Sequence, residues 1–174
     1  MQQAQPATPQ AAFQATSIIH YNFMGAVVLY IVVGEIMRVI VDDFAGKGFN
    51  DFSGTLAYSL RAIVLLFAIA ATVIARTIFS DEAMLARQLT ASHEVDDMDI
   101  AGALQTAHIV RLAFIEAIAV LGLVIYMNSG DRIDYVWMII AFVNLLPLIP
   151  SRDRWNQAYR RMAIDHPGVT SMPL

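Results

Sequence analysis

Four long apolar runs set the pattern of this chain, at about residues 17–41, 55–79, 104–127 and 133–150, with polar segments between them. A helix needs about 20 apolar residues to cross the hydrocarbon of a bilayer, with about 17 to 25 workable. Each run therefore predicts a membrane-spanning helix, the last by the narrowest margin. The stretch before them, MQQAQPATPQAAFQAT, has neither Lys nor Arg and no apolar core. It lacks the basic start of a signal peptide and the Arg-rich face of a transit peptide, and reads as a disordered polar tail over 1–16 ahead of an uncleaved signal anchor. After the last run, Trp155, Ala158, Tyr159 and Met162 recur at helical spacing, with arginines largely on the other sides. That is the pattern of an amphipathic helix at a membrane interface, ended by Pro167–Gly168, or equally of a helix that binds a partner. The expected fold is all-α: an integral membrane four-helix bundle over 17–150, followed by a cytoplasmic segment over 151–174 carrying the interfacial amphipathic helix.

Composition supports the same class. The 174 residues are 57% hydrophobic and only 15% charged, where a soluble chain has about a quarter of its residues charged. The mean hydropathy is +0.56. The absence of cysteine leaves no disulfide framework and no thiolate metal site. A net charge of -4 does not suggest a nucleic-acid partner. The chain's expected partners are the lipid bilayer and other membrane subunits or further copies of itself.

Basic residues set orientation through the short loops. Arg152, Arg154, Arg160 and Arg161 follow the fourth run, and Arg76 and Arg87 flank the start of the middle loop. The opposite side offers Lys47 and Arg132, with Arg38 and Arg61 inside helix ends. Both termini are expected in the cytoplasm of a bacterial cell, the helices in its inner membrane.

Glu116 stands out within the third run, AHIVRLAFIEAIAVLGLVIYM, close to the expected midplane. An ionisable group is costliest there, and a glutamate is too short to reach water. It must be protonated or hydrogen-bonded inside the bundle, on a face shared with Ala113, Ala117 and Val120. Counting through the NSGDR turn places Asn144 of the fourth run level with Glu116, so these two form the expected buried polar contact and candidate proton site. Near the opposite surface, Glu35 and Arg38 lie one turn apart. Arg61 enters the second helix to about 9 Å, at 1.5 Å per residue, level with Glu35. An intramembrane ion pair among Glu35, Arg38 and Arg61 is expected, an arginine snorkelling to the interface being the plainer alternative. Ala68, Ala71, Thr72 and Ala75 form a small-residue stripe suited to a close helix neighbour.

His20 and His108 both fall near the cytoplasmic side. Two facing imidazoles are a haem-ligand pattern, with Arg111 for a propionate, so a haem b anchor subunit of an electron-transfer complex is one reading. Polar residues at an interface is the other. His93, Glu94, Asp96, Asp97 and Asp99 match no metal-ligand spacing and read as a solvated acidic loop, after a helix start at Ser80–Asp81. No nucleophile triad, phosphate loop or zinc signature is present in the sequence.

The segment FIEAIAVLGLVIYM resembles the carboxylate-bearing helix of the c-type proteolipid ring subunits of rotary ATPases. The resemblance implies that Glu116 carries a proton or ion. The glycine-repeat helix of those subunits is missing, and their short polar loop is replaced by a long acidic one. More broadly, Arg111, Ala113, Glu116 and Ala117, with Pro150, Arg152 and Arg154 after the fourth run, resemble uncharacterised small four-helix bacterial membrane proteins, a likeness that implies fold without activity. The expected function is non-catalytic: an accessory or structural subunit of a membrane complex, or a self-associating bundle, in which Glu116 fixes helix packing. The alternative is a proton- or ion-translocating component. No cofactor is expected on the first reading.

Overall fold

A computed structural model describes residues 8–41, 44, 48–49, 54–91, 96–165 and 169, with the side chains of all of these except 88–91 and 165. Residues 1–7, Lys47 and most of its loop, His93 and Glu94, and Pro167–Gly168 lie outside the described residues. The described residues form six α-helices and no strand: α1 (Pro9–Ile40), α2 (Thr55–Thr77), α3 (Asp81–Ala91), α4 (Asp97–Ser129), α5 (Tyr135–Leu145) and α6 (Arg152–Asp165). Short 3-10 turns flank α5 on both sides, at Arg132–Asp134 and Leu146–Leu148. α1, α2 and α4 are each long and apolar enough to cross a membrane. The segment Arg132–Leu148 joins them if it is taken with the following helix, from which it is bent by 54°. The chain thus holds three or four candidate spans.

The helix starts are set by their caps. Thr8 Oγ1 accepts the amide of Ala11 at 3.2 Å, and Pro9 takes the first helical position, where its missing N–H costs nothing. α1 therefore begins eight residues earlier than the apolar run, and the part of the expected disordered tail from Pro9 onward is helical. Ser80 Oγ accepts the amide of Ala83 at 3.1 Å and starts α3. Asp96 and Asp99 cap α4 reciprocally: the Asp99 amide donates to Asp96 Oδ1 at 2.8 Å, the Asp96 amide to Asp99 Oδ2 at 3.2 Å. Pro147 cannot continue α5 as a donor, and the helix tightens to a 3-10 turn across it.

The chain divides into two compact units. The first comprises Met1–Tyr21, Ala75–Arg111 and Ile149–Leu174. Its core is built from Phe13, Leu85, Ile100, Leu104, Trp155 and Tyr159 with their alanine neighbours. Ala12, Thr16 and His20, at four-residue spacing on α1, are all buried. The ring of Phe13 meets that of Trp155 edge-on at 5.4 Å, and the Tyr159 hydroxyl donates to the carbonyl of Asp97 at 2.9 Å. The amphipathic face expected for α6 is present, and Trp155 and Tyr159 on it are buried in this core. Burial raises the Tyr159 phenol above its ordinary pKa, with the nearby carboxylates of Asp97 and Asp96 adding to it.

The second unit comprises Asn22–Ile74 and Leu112–Leu148. Val64 of α2, Ile125 of α4 and Trp137 of α5 form one of its buried clusters. α4 and α5 approach closely because Gly122 has no side chain: a Cβ there would stand 2.5 Å from Cβ of Trp137. Gly34 of α1 plays the same part against Tyr126 and Tyr135, whose rings stack at 4.4 Å. The stripe Ala68 and Ala71 of α2 is buried as well.

Candidate functional site

Two hydrogen-bonded groups of polar side chains lie inside the second unit. The first is Glu116. It is half-buried, between the fully buried Ile118 and the exposed Ala113 and Val120, and accepts a hydrogen bond from the Tyr30 hydroxyl at 2.8 Å. The same two helices meet again where the Tyr126 hydroxyl donates to the Gly34 carbonyl at 3.3 Å. α1 and α4 therefore run side by side in the same direction, and this puts Tyr30 level with Glu116. The expected Glu116–Asn144 contact is replaced by this phenol–carboxyl bond. The Asn144 amide donates instead to the carbonyl of Ile140, one turn back in α5, at 2.9 Å.

The second group is an arginine clamp that sequence reasoning missed. Arg61 Nε and Nη2 bind Asp134 Oδ1 and Oδ2 at 2.7 and 2.8 Å, a bidentate fork, and Nη2 also reaches Asp131 Oδ2 at 2.8 Å. Ser129 Oγ donates to Asp134 Oδ2 at 2.6 Å, so a carboxylate with 0% exposure has three donors. Charge-assisted bonds of this kind are what make a buried carboxylate tolerable. The turn is pre-shaped for the clamp: Gly130 adopts φ +64, its amide donates to the Tyr126 carbonyl at 2.8 Å, and Asp131 Oδ1 accepts the Ile133 amide at 3.1 Å. Glu35, the partner expected for Arg61, binds Arg38 on its own helix at 3.1 Å, with both side chains partly exposed. The three residues of the expected ion pair are thus split. Asp131 and Asp134 could have been found: they are the acids nearest the turn into the fourth run, at the end of the second helix where Arg61 enters.

In the first unit the structure does bring His20 and His108 together. Their Nδ1 and Nε2 atoms stand 3.2 Å apart, sharing one hydrogen bond, and both rings are buried. His20 Nε2 is also buried, without a hydrogen-bond partner among the described residues. Imidazole–metal bonds are about 2 Å long, so two histidines on opposite faces of one haem iron stand about 4 Å apart with a macrocycle between them. The rings touch directly, and the pair does not fit that arrangement. Arg111, considered for a propionate, is engaged elsewhere: it binds Asp81 of α3 and donates from Nε to the Ala107 carbonyl at 3.1 Å. Among the described residues no cluster of three or more His, Asp or Glu is placed to hold a metal ion.

No family model, curated protein or solved structure matches the chain. The functional reading therefore rests on the geometry.

Proposed function

We propose that this chain is an integral protein of the bacterial inner membrane with four spans and both termini cytoplasmic. On this reading it is non-catalytic and acts through packing and association, as an accessory subunit of a larger membrane complex or as a self-associating bundle. The supporting observation is the exterior of the second unit. Among the large apolar side chains exposed in the described residues, all but Ile18, Tyr21, Ile78, Ile149 and Ile164 belong to that unit. Leu29, Val39, Ile63, Leu66, Ile139 and Val143, on three different helices, are each more than half exposed. Water does not tolerate so continuous an apolar surface on a soluble domain, whereas hydrocarbon solvates it. The charged interior groups of the unit are consistent with such a setting, Arg61 being bonded to Asp134 and Glu116 to Tyr30.

The fourth span is then α5 with its two 3-10 turns, about 25 Å long if the helical rise of 1.5 Å per residue is applied throughout. The arginines of α6 and those near α3 take the cytoplasmic side by the positive-inside rule. Tyr30–Glu116 is a lateral tie between α1 and α4, and Glu116 a packing residue.

Two experiments test this. The chain has no native cysteine, so single cysteines placed at Ser151 and at Ile133 report sidedness directly. Protection of one from a membrane-impermeant maleimide in inverted vesicles, with labelling of the other, is expected; equal labelling of both refutes the topology. Glu116→Gln should leave detergent-extracted assemblies unchanged in size and composition. pH-dependent labelling of Glu116 by a hydrophobic carbodiimide, with loss of a proton flux in the Gln variant, would refute the packing role and favour a proton site.

A further inference from the structure

The first unit has an open cavity of about 400 Å³ lined by α3, by Arg111 near the middle of α4, and by α6. Its wall is mostly apolar, supplied by Leu85, Ala86, Ala158 and Met162, while three arginines, Arg111, Arg154 and Arg161, line it from two helices. Asp81 and Glu82 also line it, leaving the lining with one net positive charge. The two acids are already committed: Asp81 binds Arg111, and Glu82 binds Arg161 Nη1 at 3.0 Å. A guanidinium has five N–H donors. These bonds, with that from Arg111 Nε to the Ala107 carbonyl, use only part of the set on Arg111 and Arg161.

A concave apolar wall beneath several guanidinium groups fits one class of ligand: an anionic amphiphile, with a phosphate ester for the arginines and a hydrocarbon portion for Leu85 and Met162. We propose that this cavity binds the headgroup of an anionic phospholipid. It rests on the membrane reading only for the source of the lipid, since the arginines occupy the side on which that reading places the cytoplasmic leaflet. That leaflet is rich in anionic headgroups, and basic pockets between helices on this side are suited to them. The phosphate alone satisfies the arginines. The apolar wall is what separates a lipid from a free phosphate ion.

The test uses the full chain in neutral detergent, with bound lipid counted by native mass spectrometry after addition of phosphatidylglycerol, phosphatidylcholine or inorganic phosphate. Phosphatidylglycerol should be retained about tenfold more tightly than phosphatidylcholine, as expected for a charge-assisted contact of about 1.4 kcal/mol. The double variant Arg154→Gln/Arg161→Gln should lose that preference. The exposed pair Arg161–Glu82 contributes little to stability, and a thermal midpoint within a few degrees of the parent would show the variant folded. Equal retention of the two lipids, a preference that survives in the folded double variant, or inorganic phosphate at equal concentration displacing phosphatidylglycerol, overturns the proposal. Alkaline carbonate extraction of the same membranes reports insertion independently, so failure of the pocket and failure of the membrane reading give different results.

Discussion

Replacing Arg61 with methionine is the most informative perturbation of this fold. It keeps most of the side-chain length and removes only the guanidinium. Asp134 would then retain Ser129 Oγ at 2.6 Å but lose both prongs of the fork while remaining at 0% exposure. Removing one partner of a buried pair costs about 3–5 kcal/mol, because the other charge is left uncompensated. The Asp131 contact adds little, its side chain being 49% exposed, within the range of about 0–1 kcal/mol for surface pairs. The expected loss is therefore about 3 kcal/mol or more. Arg38→Met is the control: its pair with Glu35 is partly exposed on both sides and should cost less than about 1 kcal/mol. Unfolding in mixed micelles, titrated with dodecyl sulfate and followed by the fluorescence of Trp137 and Trp155, gives both values. The double variant Arg61→Met/Asp134→Asn should recover part of the loss, with a coupling of about 1–3 kcal/mol. An Arg61→Met loss below about 1 kcal/mol, or strict additivity in the cycle, would show that the clamp does not hold the turn.

Tyr30→Phe deletes the donor to Glu116 and should cost about 0.6–1.7 kcal/mol, the range found for hydrogen bonds between membrane helices; no change in the same titration would mean that the bond is not formed in micelles. Gly122→Ala should destabilise by about 1–3 kcal/mol through its contact with Trp137, visible as a shift in Trp137 emission. Gly25→Ala, which meets nothing within 4 Å, should be neutral or slightly stabilising, since alanine is the better helix former by up to about 1 kcal/mol. Trp155→Ala uncovers Phe13 and should cost about 3–5 kcal/mol as a core truncation, accompanied by faster proteolysis near Phe13; unchanged proteolysis would contradict the docking of α6 on this core.

The long helices were legible from the apolar runs because hydrophobic length is a local property. α2 ends within two residues of its run, and α4 and α1 overshoot theirs where mixed polar and apolar residues continue the helix. Thr8–Pro9 was a readable start signal, obscured because Gln10, Gln14 and Thr16 are polar. The buried positions among them follow helical periodicity, which a search for apolar length alone passes over. Shared depth put His20 and His108 on the same side, as facing haem ligands or as separate interfacial residues; their direct hydrogen bond is neither. Glu116–Tyr30 was not foreseen, because depth was compared only across the hairpin joining consecutive helices, and the partner came from a helix far away in sequence. Arg61 was assigned to Glu35 for the same reason. Depth narrows the choice of partners, but side-by-side packing between non-consecutive helices decides among them. Asn144 adds a further ambiguity: its amide also donates to its own helix, at the Ile140 carbonyl, so its position alone does not name a partner.

The order in which the clamp's members emerge from the ribosome gives it a role in biogenesis. Arg61 is synthesised some seventy residues before Asp134. Its long side chain can lift its charge to the headgroups while it waits. A short carboxylate has no such refuge, yet by the time Asp134 reaches the bilayer its cation is already in place. Moving the arginine to the later position and the aspartate to the earlier one would preserve the finished pair while stranding the acid during insertion, so the two arrangements should differ in yield more than in final stability.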